Sequence, residues 1–402
     1  MTLRLKEMYV LQAGMLALLV VRASVTFTVF AFLQTVSYLV LGLCILSFLI
    51  MLGVCLRKPR MNRLDVWITA YFFLLIVLSL LNGTYVKGAV YQALCIFLLL
   101  MLLSYFRDKF AFTLKVCALS FSAIIYANLA IMIMFPDWMF AAKDTFYSYL
   151  LGLNYNQIGV RLLCGLITNI LCLRFSKKWL INIIPLAVVS LTTLILVGSM
   201  TSLTCITIFL LFCLVPWRGL QKVGMVSFFC VYILFQVVVV FGGVGLYNNE
   251  FATYFVEQVL GKSMSFSFRT SMWAAAGNLF VQSPIWGYGY ASTEWWLSHL
   301  SSFAIGPHNF IYSILLNGGV LLFSVFVAVC VETGRRVFSH RLSWHELILV
   351  MGIEVWLFMG LMEVYPSFFI FYLLLLAYYY PSLNEKAPAA ITEGRRDEDG
   401  RE

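Results

Sequence analysis

The run QTVSYLVLGLCILSFLIMLGVCL, residues 34–56, ends directly on Arg57-Lys58-Pro59-Arg60 and decides the fold class. It is 23 residues without a charge, and a helix needs about 20 to cross a hydrocarbon core of ~30 Å. Similar runs recur along the chain, at roughly 9–30, 65–82, 88–106, 111–134, 158–174, 179–198, 201–215, 223–246, 308–331, 345–362 and 367–380. Hydrophobic residues make up 62% of the 402 and charged ones 11%, whereas a soluble domain is about half apolar and about a quarter charged. The chain is therefore expected to be an all-α polytopic membrane protein with about 12 transmembrane helices and one long extracytoplasmic loop containing short helices. The first run lacks a small-residue cleavage site and leads straight into the second, so it is expected to be a retained span.

A net charge of +9 would suit a nucleic-acid binder, but its placement excludes that reading. With the N-terminus inside, twenty of the 27 Lys and Arg fall in cytoplasmic segments. Lys87, Lys143, Lys262 and Arg269 lie outside, and Arg22, Lys115 and Arg161 lie within apolar runs. Such a bias sets orientation, so both termini are expected in the cytoplasm and the loop on the outer face. Four regions follow: a bundle of about nine spans over 1–246, the extracytoplasmic catalytic loop over 247–306, C-terminal membrane helices over 307–383, and a charged tail over 384–402, expected to be disordered. The ten cysteines sit in or at the ends of apolar runs without a CxxC pair, as small buried hydrophobes would. No internal repeat and no broken helix is evident, which weighs against a transporter built on inverted repeats.

Outside the apolar runs, the informative stretch is Arg269 to Gly319. Arg269 precedes Trp273 by one helical turn; it either snorkels beside an interfacial aromatic or offers a guanidinium fork to a phosphate. Pro284-Ile285-Trp286-Gly287-Tyr288-Gly289-Tyr290 is a turn-former cluster. His308-Asn309 marks the return into the membrane, where an ionisable group is either a cap or a site. His299 reads as surface, and His340 and His345 as bland cytoplasmic histidines. Without HExxH spacing, the four histidines make no metal site. Arg161, near the outer end of its span, either snorkels or lines a cavity for an anionic headgroup. Arg22 has no evident partner. Glu363 lies on the same side as His308, where it is either a solvated loop acid or an orienting group for a histidine or a sugar hydroxyl.

The order of these pieces resembles the O-antigen ligase and O-antigen polymerase family of bacterial polysaccharide assembly. The resemblance lies in Arg269 and Trp273, then Pro284, Ile285, Gly287 and Gly289, then His308, Asn309 and Gly319, with Asn154-Tyr155-Asn156 and the Gly198-Ser199 turn in support. Two positions depart from it: Met200 stands where many members carry Arg, and Leu322 near where a second small residue is usual. The resemblance implies a metal-independent, inverting glycosyl transfer from an undecaprenyl-diphosphate-linked oligosaccharide, without cofactor, in the bacterial cytoplasmic membrane.

On this reading His308 and Arg269 are catalytic, and Arg161, Trp273, Gly287, Gly289, Asn309 and Glu363 bind substrate. The aromatics Trp286, Tyr288, Tyr290, Trp295 and Trp296 offer flat faces to sugar rings. A repeat-unit polymerase making capsule or similar cell-envelope glycan, working with a flippase and a chain-length regulator, is the leading expectation. A ligase of the same family is the alternative, and a secondary transporter or lipid flippase is a different class. The bilayer is the one other partner expected; nucleic acid is not.

Overall fold

The computed structural model describes residues 5–27, 31–58, 60–135, 149–152, 154–242, 269–300 and 306–385, and these are helical apart from turns and one isolated bridge, Tyr149 to Gly152. In chain order the helices are α1 (Leu5–Ser24), α2 (Ala31–Arg57), α3 (Arg63–Leu81), α4 (Val86–Tyr105), α5 (Phe110–Met134), α6 (Ile158–Leu171), α7 (Leu180–Val197) and α8 (Met200–Leu214). They continue as α9 (Arg218–Phe235, extended by a π turn Gln236–Phe241), α10 (Arg269–Gln282), α11 (Thr293–His299), α12 (Phe310–Val337), α13 (Trp344–Met359), α14 (Ser367–Tyr379) and α15 (Ser382–Glu385). The expected tail begins inside α15; residues 386–402, most of the 135–157 loop, and residues 243–268 and 301–305 lie outside the described residues.

Among the described residues, nine helices are long and apolar enough to cross a membrane. Three of the twelve expected spans are shorter: α8, α13 and α14 have 15, 16 and 13 residues, and 13 residues rise only about 20 Å. Two of them are cut short by the same segment, Gly360–Pro366, which carries Glu363. The bundle wraps around α6, in which every residue is buried. Its polar side chains are satisfied internally, as hydrocarbon surroundings require. Thr168 Oγ1 donates to Cys164 O at 2.6 Å and lies 2.9 Å from Tyr372 Oη, while Asn169 Nδ2 donates to Ser122 Oγ at 3.0 Å.

A broken helix is present where none is legible in the sequence. Inside α12, Gly318 (φ −155°, ψ 20°) and Gly319 (φ 62°, ψ −164°) leave the helical region. The break frees two carbonyls and two N–H groups, and the turn at 284–289 takes all four. Tyr288 N donates to Leu316 O at 2.7 Å and Gly289 N to Asn317 O at 2.9 Å. In return, Val320 N donates to Pro284 O at 2.8 Å and Leu321 N to Ile285 O at 3.3 Å. Four backbone groups at the kink thus find partners outside the helix. The same turn reaches the α3–α4 hairpin, where Tyr85 N donates to Tyr290 O at 2.9 Å and Tyr290 N to Ser79 Oγ at 2.8 Å.

Gly319 occupies a backbone region that is almost exclusive to glycine, with the Ile285 and Trp286 backbone against the place a Cβ would take. Gly53, within α2, has nothing within 4 Å of that place. Gly319→Ala is therefore expected to destabilise the protein by about 1–3 kcal/mol or more, and Gly53→Ala to be neutral or stabilising. Thermal unfolding of both variants in detergent checks this; equal midpoints would contradict the account of the break.

Candidate functional site

The site forms at one end of the bundle, where the starts of α6, α12 and α14 meet the 360–366 segment and the 284–290 turn. Asn309 caps α12, its Oδ1 accepting from Tyr312 N at 2.9 Å. Its Nδ2 donates to Leu361 O at 3.2 Å and to Gln236 Oε1, in the π turn, at 2.9 Å. Phe310 N donates to Gly360 O at 2.8 Å. These bonds lock His308 against the 360–363 segment. His308 itself has φ 45°, a left-handed backbone that no other non-glycine residue adopts among the described residues. Such strain persists only where surrounding contacts impose it, and Trp273 supplies one, its Nε1 donating to His308 O at 3.4 Å.

His308 Nδ1 lies 3.1 Å from Glu363 Oε1, a pairing the sequence reading offered as one alternative. The contact is close enough for an ion pair, but Nδ1 is buried and not aligned for a hydrogen bond. With Nδ1 against the carboxylate, Nε2 is the nitrogen left for a ligand. Glu363 is 4% exposed. Its Oε2 accepts from Asn156 Nδ2 at 3.2 Å, and its Oε1 from Val364 N at 3.1 Å. Burial alone would raise its pKa, but the His308 ring, the Val364 amide and the Arg269 charge hold the carboxyl below its ordinary value. Arg269 Nε donates to Met362 O at 2.9 Å, next to this group. Tyr365, which burial and then the Glu363 charge push well above the ordinary phenol range, stays protonated.

Two cavities adjoin here. One, of about 260 Å³, has Glu363 in its wall together with Asn317, Ser313, Thr293 and Trp296. The other, of about 580 Å³, is lined by Arg22, Lys87 and Arg161 and by no acidic residue among those described. Gln92, Gln157, Tyr290 and Pro366 line both. Arg161 is 5% exposed, so it does not snorkel; its Nε donates to Ser24 O at 3.0 Å and one Nη to Gln157 O at 2.7 Å. Arg22, without a partner in the sequence reading, lies 4.6 Å from the Tyr91 ring and 5.2 Å from the Phe27 ring, with its Nε buried and unpartnered. Met200, at the position of the missing Arg, is 63% exposed.

Four residues expected to bind substrate make packing contacts within the protein. Trp273 and Asn309 are fully buried. Gly287 (φ 60°) sits where a Cβ would come within 2.6 Å of Gly318 N and Leu316 O, and Gly289 packs against Ser79. Glu294 and His299 stand on α11 outside both cavities, with His299 exposed and stacked on Trp295 at 4.3 Å. Of the aromatics, Trp296 and Tyr290 line the smaller cavity and Trp286 is 57% exposed. Among the described residues no three His, Cys, Asp or Glu side chains gather as metal ligands would. Gln92, Gln157, Lys87 and Asn317 are new to the site; only Asn156 had a signal, through the family-like Asn-Tyr-Asn.

Residues 185–327 match the family model described as O-antigen ligase. Over that stretch the chain is similar to the O-antigen ligase family. The match takes in Arg269, Trp273, the 284–289 turn, His308 and the α12 break, but not Glu363, Asn156 or the three cations. No curated protein matches the chain.

The depressed Glu363 carboxyl fixes the sign of one pH effect. Its folded value lies below the unfolded value of about 4.3, so its contribution is complete above that pH and is lost as pH falls through the folded value. Thermal midpoints should drop below about pH 4.3, and Glu363→Gln should flatten that drop; identical profiles would contradict the pairing.

Proposed function

We propose that the protein is a glycan polymerase that joins undecaprenyl-diphosphate-linked repeat units by a metal-independent, inverting glycosyl transfer on the outer face of the membrane. The single observation that carries this reading is the division of charge between adjoining cavities. Three cations line one, a carboxylate paired with His308 lines the other, and four residues form the wall between. The O-antigen ligase match supports a ligase- or polymerase-type function in general.

The chemistry follows from that division. The donor diphosphate lies in the cationic cavity, held by Arg22, Lys87 and Arg161, where guanidinium groups suit phosphate oxygens. Its sugar extends into the chamber beside Glu363. An acceptor hydroxyl attacks the anomeric carbon from the side away from the diphosphate; the carbon–oxygen bond to the diphosphate breaks, and its electron pair leaves on undecaprenyl diphosphate. The hydroxyl proton passes to the His308–Glu363 pair. Charge growing on the leaving oxygen meets preorganised cations, so no strong general acid is required. Arg269 is assigned to the Glu363 side, where it holds the 362–363 backbone and tunes the carboxylate, and Arg161 takes the leaving-group role of the Arg absent at Met200. The broken α12 does not favour transport, because its open backbone groups are filled by the chain's own turn.

Purified protein in liposomes, given lipid-linked oligosaccharide and a chelator, should produce a ladder of longer lipid-linked glycans. His308→Ala and Glu363→Gln should slow transfer by about 10²–10⁴-fold, whereas Arg22→Gln and Lys87→Gln should mainly raise the donor KM. Transfer that begins only on adding a second acceptor would make the protein a ligase. Parent-like rates in the His308 and Glu363 variants would overturn the assignment.

A further inference from the structure

The smaller cavity has a chemical bias that the transfer reading does not by itself require. Glu363 is its one charged wall residue among those described, with no Lys, Arg or His. His308 pairs with Glu363, and the Arg269 charge acts on it, from outside the lining. Asn317, in the same wall, has its Oδ1 buried without a hydrogen-bond partner. Across the chamber, Gln92 is held at both ends of its amide: its Nε2 donates to Tyr290 Oη at 2.7 Å and its Oε1 accepts from Ser367 Oγ at 2.5 Å. The Tyr290 oxygen accepts that bond, leaving its own hydrogen to donate. Trp296, 7% exposed, supplies an apolar face.

We infer that this chamber selects an uncharged sugar ring, a hexose or N-acetylhexosamine, and rejects a ring bearing a carboxylate, an inference that rests on the glycosyl-transfer reading. Sugar hydroxyls and an acetamido N–H are donors, and the Glu363 carboxylate accepts from them. A uronate carboxylate accepts only. It would bring like charge against Glu363 and lose its water without a cation to receive it. The cations next door offer no relief, because the diphosphate of the same donor occupies them. The volume of about 260 Å³, below the ~300–1,000 Å³ of pockets for drug-sized ligands, limits the chamber to a single ring.

The test is saturation-transfer NMR on the full-length protein in detergent, with methyl N-acetylglucosaminide and methyl glucuronide as probes. The neutral glycoside should bind at least about tenfold more tightly, a gap of about 1.4 kcal/mol. Asn317→Lys should reverse the order by placing a cation in the wall, and Ser313→Lys, one turn earlier on α12, serves if that variant fails to fold. Equal or tighter binding of the glucuronide by the parent, or no binding of either probe, would overturn the inference. The liposome assay separates the two readings. Selective binding without any transfer would defeat the transfer reading and leave the selectivity standing. Efficient transfer from a uronate-headed donor would defeat the selectivity and leave the transfer reading intact.

Discussion

The rest of the site depends on four backbone hydrogen bonds exchanged between the 284–289 turn and the break in α12. A helix opened in the middle of a membrane bundle leaves polar groups that hydrocarbon cannot satisfy. Here a turn from the preceding loop fills the gap bond for bond. That exchange fixes Asn317 on the chamber wall, brings Tyr290 to Gln92, and aims the first half of α12 so that Asn309 and His308 meet the 360–363 segment. Gly287 and Gly319 are needed where two backbones approach too closely for any side chain. The 284–289 turn is thus a structural part of the bundle.

Given that frame, electrostatics divides the end of the bundle into two compartments. The cationic side holds three positive side chains near low-dielectric walls, which raises local affinity for an anion. The other side keeps a carboxylate ionised despite burial, because His308, Arg269 and the Val364 amide surround it. On the proposed reading, the opposite requirements of a displacement, a clamp for the leaving diphosphate and a base for the incoming hydroxyl, fall to adjoining cavities, so neither charge cancels the other. The Gln92–Tyr290 pair forms part of the wall between them.

The helical membrane fold was legible because uncharged runs ending in basic breaks have few other solutions. The pairing of His308 with Glu363 was legible as an alternative, since both fall at the same end of their spans. Three features were not. The break in α12 is hidden because Gly318-Gly319 inside an apolar run looks like any small-residue packing position. The cationic cavity is assembled from α1, the start of α4 and α6, whose basic residues are isolated in sequence, so nothing there gives Arg22 a partner. Trp273 and Asn309 carry the family pattern yet lie buried, since holding His308 in a left-handed backbone demands as much fixed structure as touching a ligand would.

The most direct measurement is a cryo-electron microscopy structure of the protein in nanodiscs with an undecaprenyl-diphosphate-linked sugar whose bridging oxygen is replaced by carbon. Density for the diphosphate among Arg22, Lys87 and Arg161, with the sugar ring between Gln92 and Glu363, is the result the account predicts. A diphosphate seated instead on Arg269 and His308, with the cationic cavity empty, would contradict it.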